Sequence, residues 1–128
     1  MSPAEAMERL NVVLAHAWMV RNFLKHADEV QDHEALLEVH RTIFDVIRAV
    51  EGSAQRGDAA EYLRRLRGKL SKLRKAAQTL DAEWREVSTH TNFEMAALSL
   101  RGCVQHIEEI LTVSTEQPPS GSADADNG

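Results

Sequence analysis

The chain has 128 residues, a formal net charge of −5, one cysteine and 43 % hydrophobic residues. This length suits one hydrophobic core, the mixture of charges excludes an intrinsically disordered polymer, and a lone cysteine excludes a disulfide scaffold. The N-terminus lacks a signal-peptide pattern and no apolar run reaches the ~20 residues of a membrane span, so the composition predicts a cytoplasmic globular domain without membrane contact.

The first predicted helix begins close to the N-terminus. Apolar residues recur there at helical spacing, and no proline interrupts the chain between its two ends. Ser2 is a favourable N-cap, and Glu5 lies at the spacing that completes a capping box. These signals predict a helix over residues 3–27.

Two further helices follow in the middle of the chain. The second is predicted over residues 33–51, with Asp32 as its N-cap and Gly52 as its C-terminal stop. The third is predicted to start at Asp58 and to contain roughly 29 residues, which corresponds to about 44 Å. Its leucines follow an unbroken heptad pattern, which is typical of helices that pack side by side in bundles. This third helix is therefore expected to extend beyond the second.

The fourth helix is predicted to follow Thr91, which forms another capping-box pattern with Glu94. Short links between the helices favour antiparallel neighbours. The predicted fold is therefore all-α, an antiparallel up-down-up-down four-helix bundle over residues 1–115. Residues 116–128 are rich in proline, serine and aspartate, which predicts a disordered acidic tail.

A basic segment lies in the third predicted helix, over residues 64–75. It holds seven of the fifteen basic residues and no acidic residue. These seven, which we call the basic surface, are Arg64, Arg65, Arg67, Lys69, Lys72, Arg74 and Lys75. They could form a solvated helix face, a surface for an acidic protein partner or a second subunit, or a nucleic-acid surface. The negative net charge and the scarcity of nearby aromatic residues disfavour nucleic acid.

Three histidines are predicted at one end of the bundle: His26, His33 and His90. Several carboxylates are expected at the same end, namely Asp28, Glu29, Asp32, Glu86 and Glu94. Such a cluster could bind a transition metal or sense pH near ~6. No Glu-x-x-His pair of the ferritin type is present, and surface and boundary histidines without a ligand are the favoured interpretation. No cofactor is therefore predicted.

Two buried side chains are also expected. His40 falls on or beside the apolar stripe of the second helix and is interpreted as a hydrogen-bonded core histidine. Cys103 lies beside the apolar stripe of the fourth helix and is interpreted as a buried, inert thiol.

The segment from Arg21 to His26, RNFLKH, resembles the R-x4-6-H signature of HEPN-domain proteins. Those proteins are helical bundles, and many are dimeric ribonucleases. The resemblance implies that Arg21 would stabilise phosphorane charge, that Asn22 would orient the site, and that His26 would transfer the proton. RNA would then be the partner of the basic surface. Metal-independent RNA cleavage needs such an acid–base group and such a cation.

No other part of the sequence resembles an active site, because phosphate loops, nucleophile triads and paired carboxylates on an apolar face are missing. The favoured interpretation is therefore a non-enzymatic binding or assembly module. It is expected to form a homo-oligomer or to bind an acidic protein partner, with the basic surface as the interface. The ribonuclease and the metal or pH sensor are the alternatives.

Overall fold

The computed structural model describes residues 1–116, which form four α-helices joined by short links. Their bounds are α1 Pro3–His26, α2 Glu34–Arg56, α3 Ala59–Glu83 and α4 Thr91–Glu116. Single 3₁₀ turns, Asp28–Val30 and Trp84–Glu86, lie in the first and third links. Residues 117–128, nearly all of the predicted tail, lie outside the described residues, so the disordered tail stays a prediction.

The helices pack as the antiparallel up-down-up-down bundle that the sequence predicts. Each helix contacts its neighbours in the chain, and α4 closes the ring against α1. The helices α1 and α3 also contact each other across the diagonal. The Tyr62 hydroxyl joins them by donating a hydrogen bond of 2.8 Å to Asn11 Oδ1. Within residues 1–116, no helix has the length and hydropathy of a membrane span.

The core is formed by the apolar stripes of all four helices. Leucine residues of the α3 heptad pattern provide much of it, with Leu66, Leu73 and Leu80 fully enclosed. Fully burying one such side chain stabilises the fold by about 1.5–3 kcal/mol. Leu70 is only partly buried, so the pattern is continuous in sequence but not in burial.

The second helix differs from its prediction at both ends. It continues through Gly52 to Arg56, and the glycine that ends it is Gly57, whose φ of 69° is left-handed. A glycine within a helix only weakens it, whereas a residue with positive φ ends it. At the start, His33 replaces Asp32 as the N-cap, because its Nδ1 accepts a hydrogen bond from the Leu36 backbone N–H.

The third helix is shorter than predicted. It contains 25 residues and ends at Glu83, where the chain tightens into the 3₁₀ turn Trp84–Glu86. The second helix contains 23 residues, so the expected overhang between the two helices was wrong. The fourth helix includes Thr91, and the residue before it supplies the cap. His90 Nδ1 accepts a hydrogen bond of 3.0 Å from the Asn92 backbone N–H.

Candidate functional site

The arginines of the basic surface make contacts within the bundle. Arg65 Nε donates to Glu61 Oε2 at 2.7 Å, one turn earlier on α3. Arg74 pairs with Glu108 on α4, with Nη2 2.7 Å from Oε2. Arg67 donates to a backbone carbonyl of α4. Part of the positive charge that the sequence assigns to a partner is therefore neutralised by this chain's own acidic side chains.

The lysines of the basic surface face α2. Lys69, Lys72 and Lys75 line a groove of about 610 Å³ between α2 and α3. The opposite wall includes Glu38 and Asp45, so acidic and basic side chains share the groove. Arg64 is exposed on α3. All seven basic residues lie on α3, but they are divided between the side that faces α2 and the side that faces α4, and their role as an interface stays a prediction.

Of the three histidines at the predicted metal end, His33 has close carboxylate neighbours. Its Nε2 lies 3.0 Å from Glu86 Oε1 and 3.6 Å from Glu83 Oε1. This contact joins the start of α2 to the end of α3. His26 is the exposed last residue of α1, and His90 caps α4. Glu86 was among the carboxylates predicted at this end and Glu83 was not, although its i, i+3 spacing from Glu86 was an available signal.

The chemistry of the His33 cluster is set by its capping role. The donor atoms of His33, Glu83 and Glu86 all lie within 4.8 Å of one another, as a metal would require. However, Nδ1 accepts from the Leu36 N–H, so Nε2 carries the proton in the neutral ring. A metal on Nε2 would move that proton to Nδ1 and break the cap. The metal or pH-sensing interpretation stays a prediction, with its centre at His33.

Arg21 occupies a core position of α1. It is 9 % exposed, and it continues the seam that Leu14, Ala17 and Leu24 form on the inner side of the helix. Its guanidinium contacts two aromatic rings that also touch each other, with centroids 6.3 Å apart. The Cζ atom is 4.4 Å from the Trp18 ring centroid and 4.9 Å from that of the Phe44 ring.

The other two residues of the proposed ribonuclease motif have a different environment. Asn22 and His26 are exposed, and His26 lies at the end of α1, more than one turn beyond Arg21. The ribonuclease interpretation needs Arg21 and His26 at one phosphate, and it stays a prediction.

His40 and Cys103 differ in how deeply they lie. His40 is half-buried on α2, and its pKa is lowered by burial and by the positive charge of Arg21. Cys103 is buried as predicted, with Sγ 3.6 Å from the Val13 carbonyl oxygen, and burial raises its pKa to about 11. Cys103 is therefore not poised as a nucleophile, because a thiol with a raised pKa remains protonated near neutral pH.

The outer side of the α1–α4 pair is an apolar surface that the sequence analysis missed. Large exposed hydrophobic side chains lie on both helices, and we call the surface that they form the α1/α4 face: Val12, Met19, Met95, Leu98 and Val113. Two grooves of about 470 and 400 Å³ follow the seam between these helices, and His16 and His106 line both. The available signal was the charge-free run between Arg9 and Arg21.

Comparison of the chain with protein-family models, with curated proteins and with solved structures found no match. Functional inference for this bundle therefore rests on the surfaces and side-chain clusters described above.

Proposed function

We propose that this protein is a self-associating assembly module in which two copies join through their α1/α4 faces. The observation that supports it is the exposure of large apolar side chains on an outer helix face. Val12 is 59 % and Met19 is 64 % exposed, and no charged residue lies between Arg9 and Arg21. A helix on the surface of a bundle normally has a polar outer face, and an apolar one marks an interaction site.

The outer side of the α1–α4 pair, which carries the α1/α4 face, has about the area that one partner buries in a stable dimer. The helix α1 has 24 residues and is therefore about 36 Å long. With neighbouring axes about 8–10 Å apart, two helices present a strip on the order of 20 Å wide, or about 700 Å². A standard interface buries about 800 Å² per partner. The face is thus large enough for one second copy.

The charges and the shape of the face favour a second copy over a charged partner. Arg9 and Glu109 line the same groove at one end, and they have opposite signs, so two copies can meet there without like-charge repulsion. The face also offers both ridges and grooves. Met19 projects from the face as a ridge, whereas Gly102 lines the groove along the seam. In a two-fold symmetric dimer, the ridges of one copy would pack into the grooves of the other.

The test is the solution mass of Met19→Glu against the wild type, measured by light scattering over a range of protein concentrations. We expect the wild type to reach twice 14.3 kDa and the variant to remain at 14.3 kDa, because the interface would bury an unpaired carboxylate. Met19 is exposed in the single chain, so the helicity by circular dichroism should not change.

The matched control is Gln78→Glu, which adds the same charge at an exposed position of α3, away from the face. It should dimerise like the wild type. A wild type that is monomeric at every concentration, or a Met19→Glu variant that still dimerises, would contradict the proposal.

A further inference from the structure

Arg21 has no counter-ion within the part of the chain that the structure describes. Its guanidinium makes ring contacts with Trp18 and Phe44, and none of the ion pairs or hydrogen bonds among residues 1–116 includes it. Its Nε is fully enclosed and has no hydrogen-bond acceptor. The side chain is nevertheless nine-tenths buried at a core position.

Such an arrangement is costly unless something else satisfies the guanidinium. Burying a charge without a partner opposes folding, and a cation–π contact of about 1–2 kcal/mol offsets only part of that cost. Stacking does, however, hold the planar group in one orientation. A guanidinium restrained by contacts with two rings presents its terminal N–H groups as a fork, the geometry that binds an oxyanion through two hydrogen bonds.

The surroundings of Arg21 are positively charged. Lys25 lies one turn further along α1 and has no ion pair among the described residues, whereas Arg41 of α2 pairs with Glu34. All three cations act on His40, whose pKa is lowered first by burial and then by Arg21, Arg41 and Lys25, in that order. Glu38 is the acidic group that acts in the opposite direction. The acidic side chains nearby thus leave Arg21 and Lys25 unneutralised.

We propose that Arg21 and Lys25 form a binding site for a phosphate monoester or inorganic phosphate between α1 and α2. Two unpaired cations match the charge of a dianion, whereas a carboxylate or a phosphodiester has one negative charge. His40, which is neutral at physiological pH, can donate its ring N–H to the same ligand. The site requires neither His26 nor the α1/α4 face.

The experiment titrates inorganic phosphate into the full chain at constant ionic strength and pH 7.5, and follows the His40 ring signals by NMR. We expect saturable shifts of these signals. In a second titration, over pH, we expect a higher His40 pKa with phosphate than without it, because the bound anion offsets the cations. The same titration is repeated with acetate and with dimethyl phosphate, which are monoanions. A response to either of them that is as strong as the response to phosphate would overturn the assignment of a dianion.

Two variants identify the residues. Arg21→Gln should weaken phosphate binding by about tenfold and should raise the His40 pKa without any ligand, since one charged hydrogen-bond donor is removed. Lys25→Gln changes an exposed side chain, so it should fold normally and weaken binding several-fold. Lys75→Gln removes the same charge from α3 and is the control. Phosphate that leaves His40 unchanged in the wild type, or equal weakening by Lys25→Gln and Lys75→Gln, would overturn the proposal.

Discussion

Burial alone determines the chemistry of Cys103. Its Sγ lies against the backbone of α1, and burial raises the thiol pKa from 9.0 to about 11. The folded state therefore keeps its proton at pH values where the unfolded chain loses it. The stabilising effect of this difference is fully present below pH 9.0 and is lost as the pH rises towards 11.

We therefore predict that the free energy of unfolding of the wild type falls between pH 9 and 11 more steeply than that of Cys103→Ala, when both are measured by urea denaturation. Tyr62 also has a raised pKa because it is buried, and it destabilises both proteins equally at higher pH. The difference between the two curves thus isolates the thiol. Parallel curves over this range would contradict the prediction.

The location of Arg21 in the bundle differs most from the one that its sequence pattern suggests. In the sequence it belongs to an R-x4-H pattern on a helix, which suggests a surface residue that acts on phosphate. In the bundle it continues the buried seam of α1 and stacks on Trp18 and Phe44. A periodicity analysis of apolar residues omits charged ones, so it could not place an arginine in the core.

At the scale of the elements, single residues determine where a helix ends. Gly57 has φ of 69°, and a β-carbon built there would meet no atom within 4 Å, so backbone conformation alone opposes a larger residue. Gly68 lies within α3 with similarly open space and an ordinary helical backbone. Two glycines in open space therefore differ only in their backbone angles.

Substitution of glycine by alanine should have opposite effects on stability at Gly57 and at Gly68. Gly57→Ala should destabilise the protein by about 1–2 kcal/mol, because alanine disfavours the left-handed region. Gly68→Ala should stabilise it by up to about 1 kcal/mol, since alanine favours the helix interior. Both values come from urea denaturation of each variant beside the wild type. Effects of the same sign would contradict the explanation.

At the scale of the whole molecule, charge and apolar surface lie on different sides of the bundle. The basic surface lies on α3, where Glu61 and Glu108 pair with two of its arginines. The apolar α1/α4 face lies on the outer side of α1 and α4. Association through the basic surface would weaken as the salt concentration rises, because salt screens contacts between exposed charges. Association through the α1/α4 face would not weaken, because salt leaves apolar burial intact.

We predict that the dimer persists from about 0.1 M to about 1 M NaCl, a range over which the Debye length falls from about 10 to about 3 Å. The double variant Arg64→Glu, Lys72→Glu should dimerise like the wild type, because both side chains are exposed on α3. Light scattering measures both. A dimer that dissociates in salt, or that is lost in this variant, would assign the interface to the basic surface instead.

The sequence by itself determined the helical class, the number of helices and their antiparallel order. Helix formation and capping depend on residues three or four positions apart, which are close in the sequence. Short links between helices favour antiparallel packing of neighbours. The same locality explains the correct cap at Ser2, whose hydroxyl accepts from the Glu5 N–H. Gly52 was wrongly predicted as the end of the second helix, since the sequence does not show the backbone angle that ends it at Gly57.

Only the tertiary structure decided which side chains meet. Three features depend on the rotation of each helix about its axis. They are the approach of His33 to Glu83 and Glu86, the ring contacts of Arg21, and the exposed residues of α1 and α4 that form one face. A rotation of one residue step, about 100°, would turn each of these side chains to another neighbour. Packing of the shared core selects that rotation, and packing is a property of four helices together.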